Sequence, residues 1–151
     1  MPDTTSDTTT RRITELRAVI DRGFAEGVGV MHALGIELAE LSDGRSVFTL
    51  RPSHSTANAM FVVHGGVLTT LLDTAISAAV FTQLPDGTGF TGLDVKVNFV
   101  RPVGLDDDAL RCEATTIHVG RKTAIGEGRI TSAEGKLVAQ ATSTCMLFPL
   151  G

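Results

Sequence analysis

One acidic residue, Asp73, interrupts a mostly apolar run between residues 62 and 81. With helical spacing, Asp73 shares one face with three hydroxyl side chains, those of Thr70, Thr74 and Ser77. Away from water and without partners, an ionised carboxylate is strongly destabilised or becomes protonated. Two interpretations follow from these residue types. Either the hydroxyls satisfy a structural carboxylate, or Asp73 is a general base or nucleophile on the wall of a cleft.

Two adjacent glycines, Gly65 and Gly66, precede this carboxylate where the helix is predicted to begin. Without a Cβ atom they let another molecule approach the backbone, and the N–H groups of a first helical turn have no partner within the helix. Together with the positive end of the helix dipole, such donors suit a polarised carbonyl or a developing oxyanion. The alternative is that both glycines only permit tight packing at the start of the helix.

The motif around these residues resembles that of a known family. The triplet His64-Gly65-Gly66 has Asp73 eight residues after Gly65 and Asn58 six residues before His64. This pattern is similar to the signature of hotdog-fold acyl-CoA thioesterases of the phenylacetate-degradation (PaaI-like) type. The resemblance therefore implies an enzyme that hydrolyses an acyl-CoA thioester to the free acid and coenzyme A.

The resemblance also implies roles for the residues of the motif. In proteins of this type, the thioester carbonyl lies at the N-terminus of the core helix of one subunit, and the acidic residue comes from the facing subunit. Carried over to this sequence, the Gly65 N–H and the Asn58 amide polarise the carbonyl, while Asp73 activates water or attacks directly. His64 is expected to orient the loop. Asn58 taken alone also fits a turn residue that bonds its own backbone.

Further residues are candidates for binding the substrate. Some relatives position the water with a Ser on the strand after the helix; the aligned residue here is Gly92, so Thr91 or Ser77 is expected in that role. Coenzyme A is implied as part of the substrate, with no separate cofactor and no metal, and basic side chains would hold its phosphates. The full set of expected substrate-binding residues is Gly66, Ser77, Thr91, Arg101, Arg121, Lys122, Met60 and Phe61, with Phe81 as a further acyl contact.

The elements that position these residues follow from the spacing of apolar side chains. Residues 1–10 are too polar to bury surface and are expected to be disordered, and residues 11–26 have the spacing of an amphipathic helix. Strands are predicted at 35–41, 45–51, 91–100, 109–119, 123–132 and 136–148. A simple antiparallel meander is the expected order after the core helix. The resemblance, which extends from about Gly35 to Phe148, implies the same α+β layout: a hotdog fold, in which a curved antiparallel sheet wraps around a helix.

Composition limits the remaining possibilities. A length of 151 residues fits one domain, expected to comprise residues 11–151, and a net charge of −4 gives no basis for nucleic-acid binding. Two cysteines, Cys112 and Cys145, are too few for a disulfide framework and are expected to be buried and reduced. No apolar run is long enough to cross a bilayer, and the N-terminus has no secretory pattern. We therefore expect a cytoplasmic protein with no membrane partner.

A curved sheet has exposed edges that need to be covered. In the family that this chain resembles, two subunits pair their sheet edges into one continuous sheet. The resemblance therefore implies a homodimer with shared active sites and a homotetramer built from it. Two other functions remain open. One is a non-catalytic acyl-CoA-binding hotdog protein, and the other is an enoyl-CoA hydratase or dehydratase, which would pair a His with an acidic residue at spacings not found around His64.

Overall fold

A long helix packs against a six-stranded antiparallel sheet in the computed structural model, which describes residues 4–151. In chain order the elements are α1 (Thr4–Glu26), α2 (Val30–Leu34), β1 (Ile36–Ser42), β2 (Arg45–Leu50), a short 3₁₀ helix (His54–Thr56), α3 (Gly65–Phe81), β3 (Thr88–Phe99), β4 (Leu110–Val119), β5 (Thr123–Thr131) and β6 (Leu137–Pro149). The predicted core helix and all six predicted strands occur, with boundaries that differ by a few residues.

Close contact between α3 and the sheet forms the core. A Cβ atom added to Gly126 on β5 would lie 2.7 Å from Cγ2 of Ile76, and one added to Gly128 would lie 3.2 Å from Cγ1 of the same side chain. These glycines therefore allow the helix to approach the sheet. The buried hydroxyl of Ser46 donates a hydrogen bond to the Ala75 carbonyl oxygen at 2.6 Å, which ties β2 to the middle of α3. The predicted hotdog fold is confirmed.

The order of the strands differs from the predicted simple meander. The strands follow the order β1–β2–β4–β5–β6–β3, so β3 lies at an edge beside β6 and not beside β4. The reason is in the connections. Helix α3 carries the chain across the sheet before β3 begins, and the segment 100–109 returns to the other side, where the Val63 N–H donates to the Val103 carbonyl at 2.9 Å. Only β4, β5 and β6 form a meander.

The outer edge of β3 has no strand beside it within residues 4–151. Apolar side chains on this strand are exposed, with Leu93 at 58% and Phe99 at 56%. A bulge at Leu93 interrupts the pairing with β6, and there Asp94 Oδ1 accepts from the Thr144 N–H at 2.9 Å while the Asp94 carbonyl accepts from the Ser143 hydroxyl at 2.8 Å. A long exposed edge strand is a surface on which another chain can pair.

The N-terminal helix begins earlier than the sequence predicts. Helix α1 starts at Thr4, so residues 4–10 are helical and the expected disorder is wrong for them, whereas residues 1–3 lie outside the described residues. The Thr8 hydroxyl lies 3.5 Å from a carboxylate oxygen of Asp86, to which it donates, and Arg11 forms an ion pair with the same carboxylate. The hydrogen bond and charge of Arg11 lower the pKa of Asp86. Within residues 4–151, no helix combines the length and the apolar character needed to cross a membrane.

A buried arginine fixes α1 to the rest of the chain. Arg12 is 7% exposed, and its guanidinium donates to the carbonyl oxygens of Leu84, Pro85 and Thr88 at 3.3, 2.6 and 3.2 Å. It also lies 4.9 Å from the centroid of the Phe81 ring, within the range of a cation–π contact. The turn between α3 and β3 is thereby held by a residue from the start of the chain.

Candidate functional site

One backbone donor stays free at the start of α3. The His64 side chain caps the helix, with Nδ1 accepting from the Gly66 N–H at 2.8 Å. The N–H groups of Val67 and Leu68 donate to the His64 carbonyl oxygen at 2.9 and 3.2 Å. Within residues 4–151, the Gly65 N–H has no hydrogen-bond partner. Of the two candidate glycines, Gly65 therefore keeps the donor that a substrate oxygen could use, and Gly66 does not.

The loop before α3 is fixed by Asn58. Its Oδ1 accepts from the Met60 N–H at 2.9 Å and the Val62 N–H at 3.3 Å, and its own N–H donates to the Val62 carbonyl at 2.8 Å. Asn58 thus has the turn-forming role that remained open from the sequence, and only its Nδ2 group lacks a partner among residues 4–151. The turn exposes two apolar side chains, Met60 at 81% and Phe61 at 73%, and Phe61 has a φ of 59°, which is unusual for a bulky residue.

The Asp73 carboxylate lies on the part of α3 that the sheet leaves uncovered. It has no hydrogen bond or ion pair within residues 4–151, and the Thr70 hydroxyl donates instead to the Gly66 carbonyl oxygen at 2.9 Å. The neighbouring hydroxyls therefore do not satisfy Asp73, contrary to the structural interpretation. Asp73 is exposed in the single chain, but nearby protein atoms still displace part of the water around its carboxyl. This partial burial raises the pKa of the carboxyl. An unpaired carboxylate with a raised pKa can act as a general base.

The two reactive groups of one chain are too far apart to act on one carbonyl. Gly65 and Asp73 are eight residues apart on α3, which corresponds to roughly 12 Å along the helix axis. A donor and a base that act on one carbonyl lie within about 3 Å of the reacting atoms. Within a single chain, the structure does not bring Gly65 and Asp73 to a common point.

Strand β3 runs beside the uncovered face of α3 in the opposite direction. The Phe99 ring lies against Gly65 at the beginning of the helix, and the Phe90 ring lies 6.3 Å from that of Phe81 at its end. Phe90 and Phe99 were not among the predicted site residues. Strict alternation places two residues nine positions apart on opposite faces of a strand, and the bulge at Leu93, which brings both rings to the side of α3, is not predicted by the sequence.

The register of β3 decides whether Thr91 or Ser77 could position a water molecule. Gly92 pairs with Cys145, which is fully buried, and Thr91 pairs with Met146, which is 43% exposed. Paired residues of antiparallel strands point to the same face, so Gly92 faces α3 and Thr91 faces away from it. Ser77 lies on α3 one turn beyond Asp73, and it is the expected candidate that shares the face of the carboxylate.

The expected phosphate ligands lie at opposite ends of β6. Near the end of β6, the Leu147 N–H donates to the Lys122 carbonyl oxygen at 2.8 Å. At the start of β6, the Leu137 carbonyl oxygen accepts from the Arg101 guanidinium at 2.6 Å. Leu137 and Leu147 are ten positions apart on β6, which is roughly 34 Å of strand, so one chain cannot place both cations on one phosphate group.

The two basic sites also differ in their surroundings. Arg121 and Lys122 line an open groove of about 720 Å³ that includes Leu93, Met146 and Phe148. Arg101 lines a separate cavity of about 370 Å³ that also contains the carboxylates of Asp106, Asp107, Asp108 and Glu134 together with Lys136. The first groove is lined by one carboxylate, that of Asp86, which is paired with Arg11, whereas four carboxylates line the cavity of Arg101. The first groove is therefore the better site for an anion.

Neither cysteine is placed to act as a nucleophile. Burial raises the pKa of Cys112 to about 12, and burial also raises that of Cys145, with a smaller contribution from the charge of Asp73. A thiol with a raised pKa is a poor nucleophile at neutral pH. Among residues 4–151, no group of three His, Cys, Asp or Glu side chains is arranged to hold a metal ion.

Comparison with known proteins identifies related chains. Residues 60–139, which include Gly65 and Asp73, match the family model of the thioesterase superfamily. The acyl-coenzyme A thioesterase PaaI of Escherichia coli is 31% identical over 107 residues, which are 71% of this chain and 74% of that protein.

Two solved structures extend the comparison. A thioesterase from Haemophilus influenzae superimposes with a TM-score of 0.75 at 30% identity, covering 81% of this chain and 84% of the other. A hypothetical thioesterase protein from Streptococcus pneumoniae, crystallised with coenzyme A, superimposes with a TM-score of 0.72 at 29% identity, covering 80% and 92%.

Proposed function

Because the chain belongs to the thioesterase superfamily, we propose that it hydrolyses acyl-CoA thioesters to a free carboxylic acid and coenzyme A. One observation carries the proposal. Helix α3 holds an unpartnered N–H group at Gly65 and, eight residues later, an unpartnered carboxylate with a raised pKa at Asp73. These are the donor and the base that acyl transfer to water requires.

The proposed reaction uses the two groups on opposite sides of the thioester carbonyl. The Gly65 N–H polarises the carbonyl and then stabilises the oxyanion of the tetrahedral intermediate. Asp73 removes a proton from water as the water oxygen bonds to the carbonyl carbon. The C–S bond then breaks, and coenzyme A leaves as a thiolate that takes up a proton. In the alternative route, Asp73 attacks the carbonyl itself to form a mixed anhydride, which water then hydrolyses.

We assign the two groups of one reaction centre to two protomers. The roughly 12 Å between Gly65 and Asp73 along one helix prevents their joint action, so a second copy supplies the missing group. The free edge of β3 and the exposed Phe99 beside Gly65 offer the surface for such pairing. The proposed enzyme is accordingly a homodimer with two shared active sites, which can assemble further into a homotetramer.

Coenzyme A is proposed to place its phosphates near Arg121 and Lys122. Both line the groove of about 720 Å³, and their guanidinium and ammonium groups suit phosphate oxygens. The thioesterase protein from Streptococcus pneumoniae contains coenzyme A in its crystal structure, which supports this carrier for the present chain. Arg101 is a weaker candidate because of the acidic cavity around it.

A panel of acyl-CoA thioesters tests the proposal through release of free thiol. The native chain is expected to hydrolyse at least one thioester, and Asp73→Asn is expected to lower kcat by about 100-fold or more, because the isosteric amide cannot accept the proton. Equal turnover by the native chain and Asp73→Asn with every thioester would refute the proposed role of Asp73. A single turnover in ¹⁸O-labelled water then separates the two routes, since only the anhydride route places the label in the Asp73 carboxylate.

A further inference from the structure

The turn before α3 holds one large side chain in an unusual backbone conformation. Among residues 4–151, Phe61 is the one residue other than glycine with a positive φ, which is 59°. For a bulky residue the left-handed region is a genuine outlier, because the Cβ atom crowds the following carbonyl oxygen. Such strain persists only where surrounding contacts determine the backbone, and strained residues cluster at functional sites.

Hydrogen bonds inside the turn fix this conformation. The Phe61 N–H donates to the Asn58 carbonyl oxygen at 3.0 Å, and the Asn58 N–H donates to the Val62 carbonyl oxygen at 2.8 Å. Asn58 Oδ1 accepts from the N–H groups of Met60 and Val62 at 2.9 and 3.3 Å. These bonds join main-chain atoms and the Asn58 side chain. The phenyl ring of Phe61 is therefore displayed by the turn and does not build it.

The same turn holds two apolar side chains away from the core. Met60 is 81% exposed and Phe61 is 73% exposed, which are the highest values among the large apolar side chains of residues 4–151. A single exposed apolar residue needs no explanation, but two neighbours on a fixed turn form a patch of the kind that a partner surface covers. Within one chain, the strain at Phe61 is not offset by packing of its ring. We call Met60 and Phe61 the apolar tip.

The apolar tip lies close to the free backbone donor. Gly65 follows Phe61 by four residues, which is at most roughly 14 Å of extended chain. Beside the tip, Val62 forms an antiparallel bridge with Gly104, in the segment that follows β3. That segment begins just after Phe99, whose ring packs against Gly65 and is itself exposed. The tip and Phe99 are therefore exposed apolar groups near the start of α3.

A second copy of the chain is the partner that reaches this end of α3. The proposed reaction needs a carboxylate at Gly65, and the Asp73 carboxylate of the same chain is roughly 12 Å away along the helix axis. The protomer that supplies the carboxylate approaches Gly65 and thus also the apolar tip.

We propose that the apolar tip packs against the partner protomer, and that Phe61 thereby holds the Gly65 N–H in position at the shared reaction centre. This inference rests on the proposed function, which assigns the carboxylate to the second copy. Phe61 is a positioning residue in this scheme, because it contacts the partner and not the reacting atoms. The free energy that its strained backbone costs in one chain is offset when the ring becomes buried in the dimer.

Phe61→Asn and Phe61→Leu test the inference as a pair. Asparagine tolerates the left-handed region and so keeps the turn, but it removes the apolar contact, whereas leucine keeps an apolar side chain. Measured by sedimentation equilibrium, the dimer dissociation constant is expected to rise by about tenfold or more in Phe61→Asn, as on truncation of a buried interface anchor, and by less than about threefold in Phe61→Leu. Val19→Asn, at an equally exposed apolar position on α1, is the matched control and should leave the constant near that of the native chain. Circular dichroism verifies the fold of each variant.

The concentration dependence of activity distinguishes a contact between protomers from a contact with substrate. Phe61→Asn is expected to lose thiol release at nanomolar chain concentrations and to regain most of its kcat when the concentration is raised about 100-fold, because mass action restores the dimer. A native dissociation constant in Phe61→Asn would overturn the inference. A raised KM for acyl-CoA or weaker binding to lipid vesicles in such a variant would assign the tip to substrate or to a membrane surface instead.

The dissociation constant does not depend on turnover, so it separates this inference from the proposed reaction. If the native chain hydrolyses no thioester but Phe61→Asn still weakens the dimer, the reaction is refuted and the contact between protomers stands. If the native chain is active and Phe61→Asn dimerises as tightly as the native chain, the reaction stands and the role of Phe61 is refuted.

Discussion

The Phe99 ring packs directly against Gly65, so that a Cβ atom added to Gly65 would lie 3.1 Å from Phe99 Cζ. Gly65→Ala therefore forces the ring or the first turn of α3 to shift by a few tenths of an ångström. Because the Gly65 N–H is the proposed carbonyl donor, we expect kcat/KM to fall by about tenfold or more, which approaches the loss of an oxyanion donor. Free-thiol release with the best acyl-CoA measures this change.

The double variant Gly65→Ala/Phe99→Leu is the control for this contact. Leucine removes the ring atoms closest to the new methyl group while keeping an apolar side chain, so most of the lost activity should return. Wild-type activity of Gly65→Ala alone would contradict the role assigned to the Gly65 N–H.

The raised pKa of Asp73 predicts how stability depends on pH. A carboxyl whose pKa is higher in the folded chain than in the unfolded chain binds more protons when folded, so its ionisation destabilises the fold as pH rises through that interval. Asp73→Asn should therefore melt at a higher temperature than the native chain at pH 7, and the difference should narrow as pH falls towards about 4. Thermal unfolding across this range measures both. A lower melting temperature for Asp73→Asn at pH 7 would show that the carboxylate is a stabilising group instead.

The same carboxyl should limit activity on the acidic side. The proposed base or nucleophile works only when ionised, and burial raises its pKa above the usual value of about 3.9. The acidic limb of the kcat/KM profile should consequently lie above that value. A chain that keeps full kcat/KM at pH 4, with stability verified by circular dichroism, would exclude Asp73 as the titrating group.

Variants of His64 distinguish a capping residue from a base. His64→Ala removes the acceptor of the Gly66 N–H, and loss of such a cap costs about 1 kcal/mol of unfolding free energy. His64→Asn keeps a side-chain oxygen that can accept this hydrogen bond, so it should retain most of the stability and activity that His64→Ala loses. Denaturant unfolding and thiol release measured on both variants make the comparison. Inactivity of His64→Asn in a fully stable chain would indicate that the imidazole takes part in proton transfer.

The sequence was sufficient to predict α3 and the location of Asp73 on its polar face. The signal was local, since apolar and polar residues alternate with the period of a helix. It did not predict that β3 joins β6, because strand pairing depends on how connections such as residues 100–109 cross the sheet. The helical state of residues 4–10 was missed for a related reason: Asp86, which contacts this segment, is far away in the sequence.

Residue types predicted which residues belong to the candidate site, but not the hydrogen bonds that these residues make or the direction in which they face. Asn58 Oδ1 is occupied by its own turn, which the residue type alone did not show, while the Nδ2 group that its predicted role requires has no partner among residues 4–151. Arg101 shares its cavity with carboxylates. Thr91 faces away from α3 because of a strand register that one sequence does not reveal. Hydrogen bonds and registers arise from the folded chain, so they lie beyond what spacing alone can predict.

The basic groove predicts how substrate binding depends on the nucleotide part of coenzyme A. Arg121→Ala/Lys122→Ala removes two cations from the groove, so KM for acyl-CoA should rise by about tenfold, and the difference should shrink at high salt. The same acyl group on N-acetylcysteamine, which lacks the phosphates, should show an unchanged KM. Arg101→Ala is the matched control, and a larger effect of Arg101→Ala on acyl-CoA would move the phosphate site to the other end of β6.

We expect the buried Arg12 to contribute much more to the free energy of unfolding than its neighbour Arg11. The Arg12 guanidinium satisfies three carbonyl oxygens in the turn after α3, and hydrogen bonds from charged donors contribute about 1.5–3 kcal/mol each without being additive. Arg12→Ala should lower the unfolding free energy by about 3 kcal/mol, since it also leaves the carbonyl oxygen of the buried Leu84 unpaired. Arg11→Ala removes only an exposed ion pair with Asp86 and should change stability far less. Urea unfolding of both variants measures the difference. Equal stabilities of the two variants would mean that the turn after α3 does not depend on Arg12.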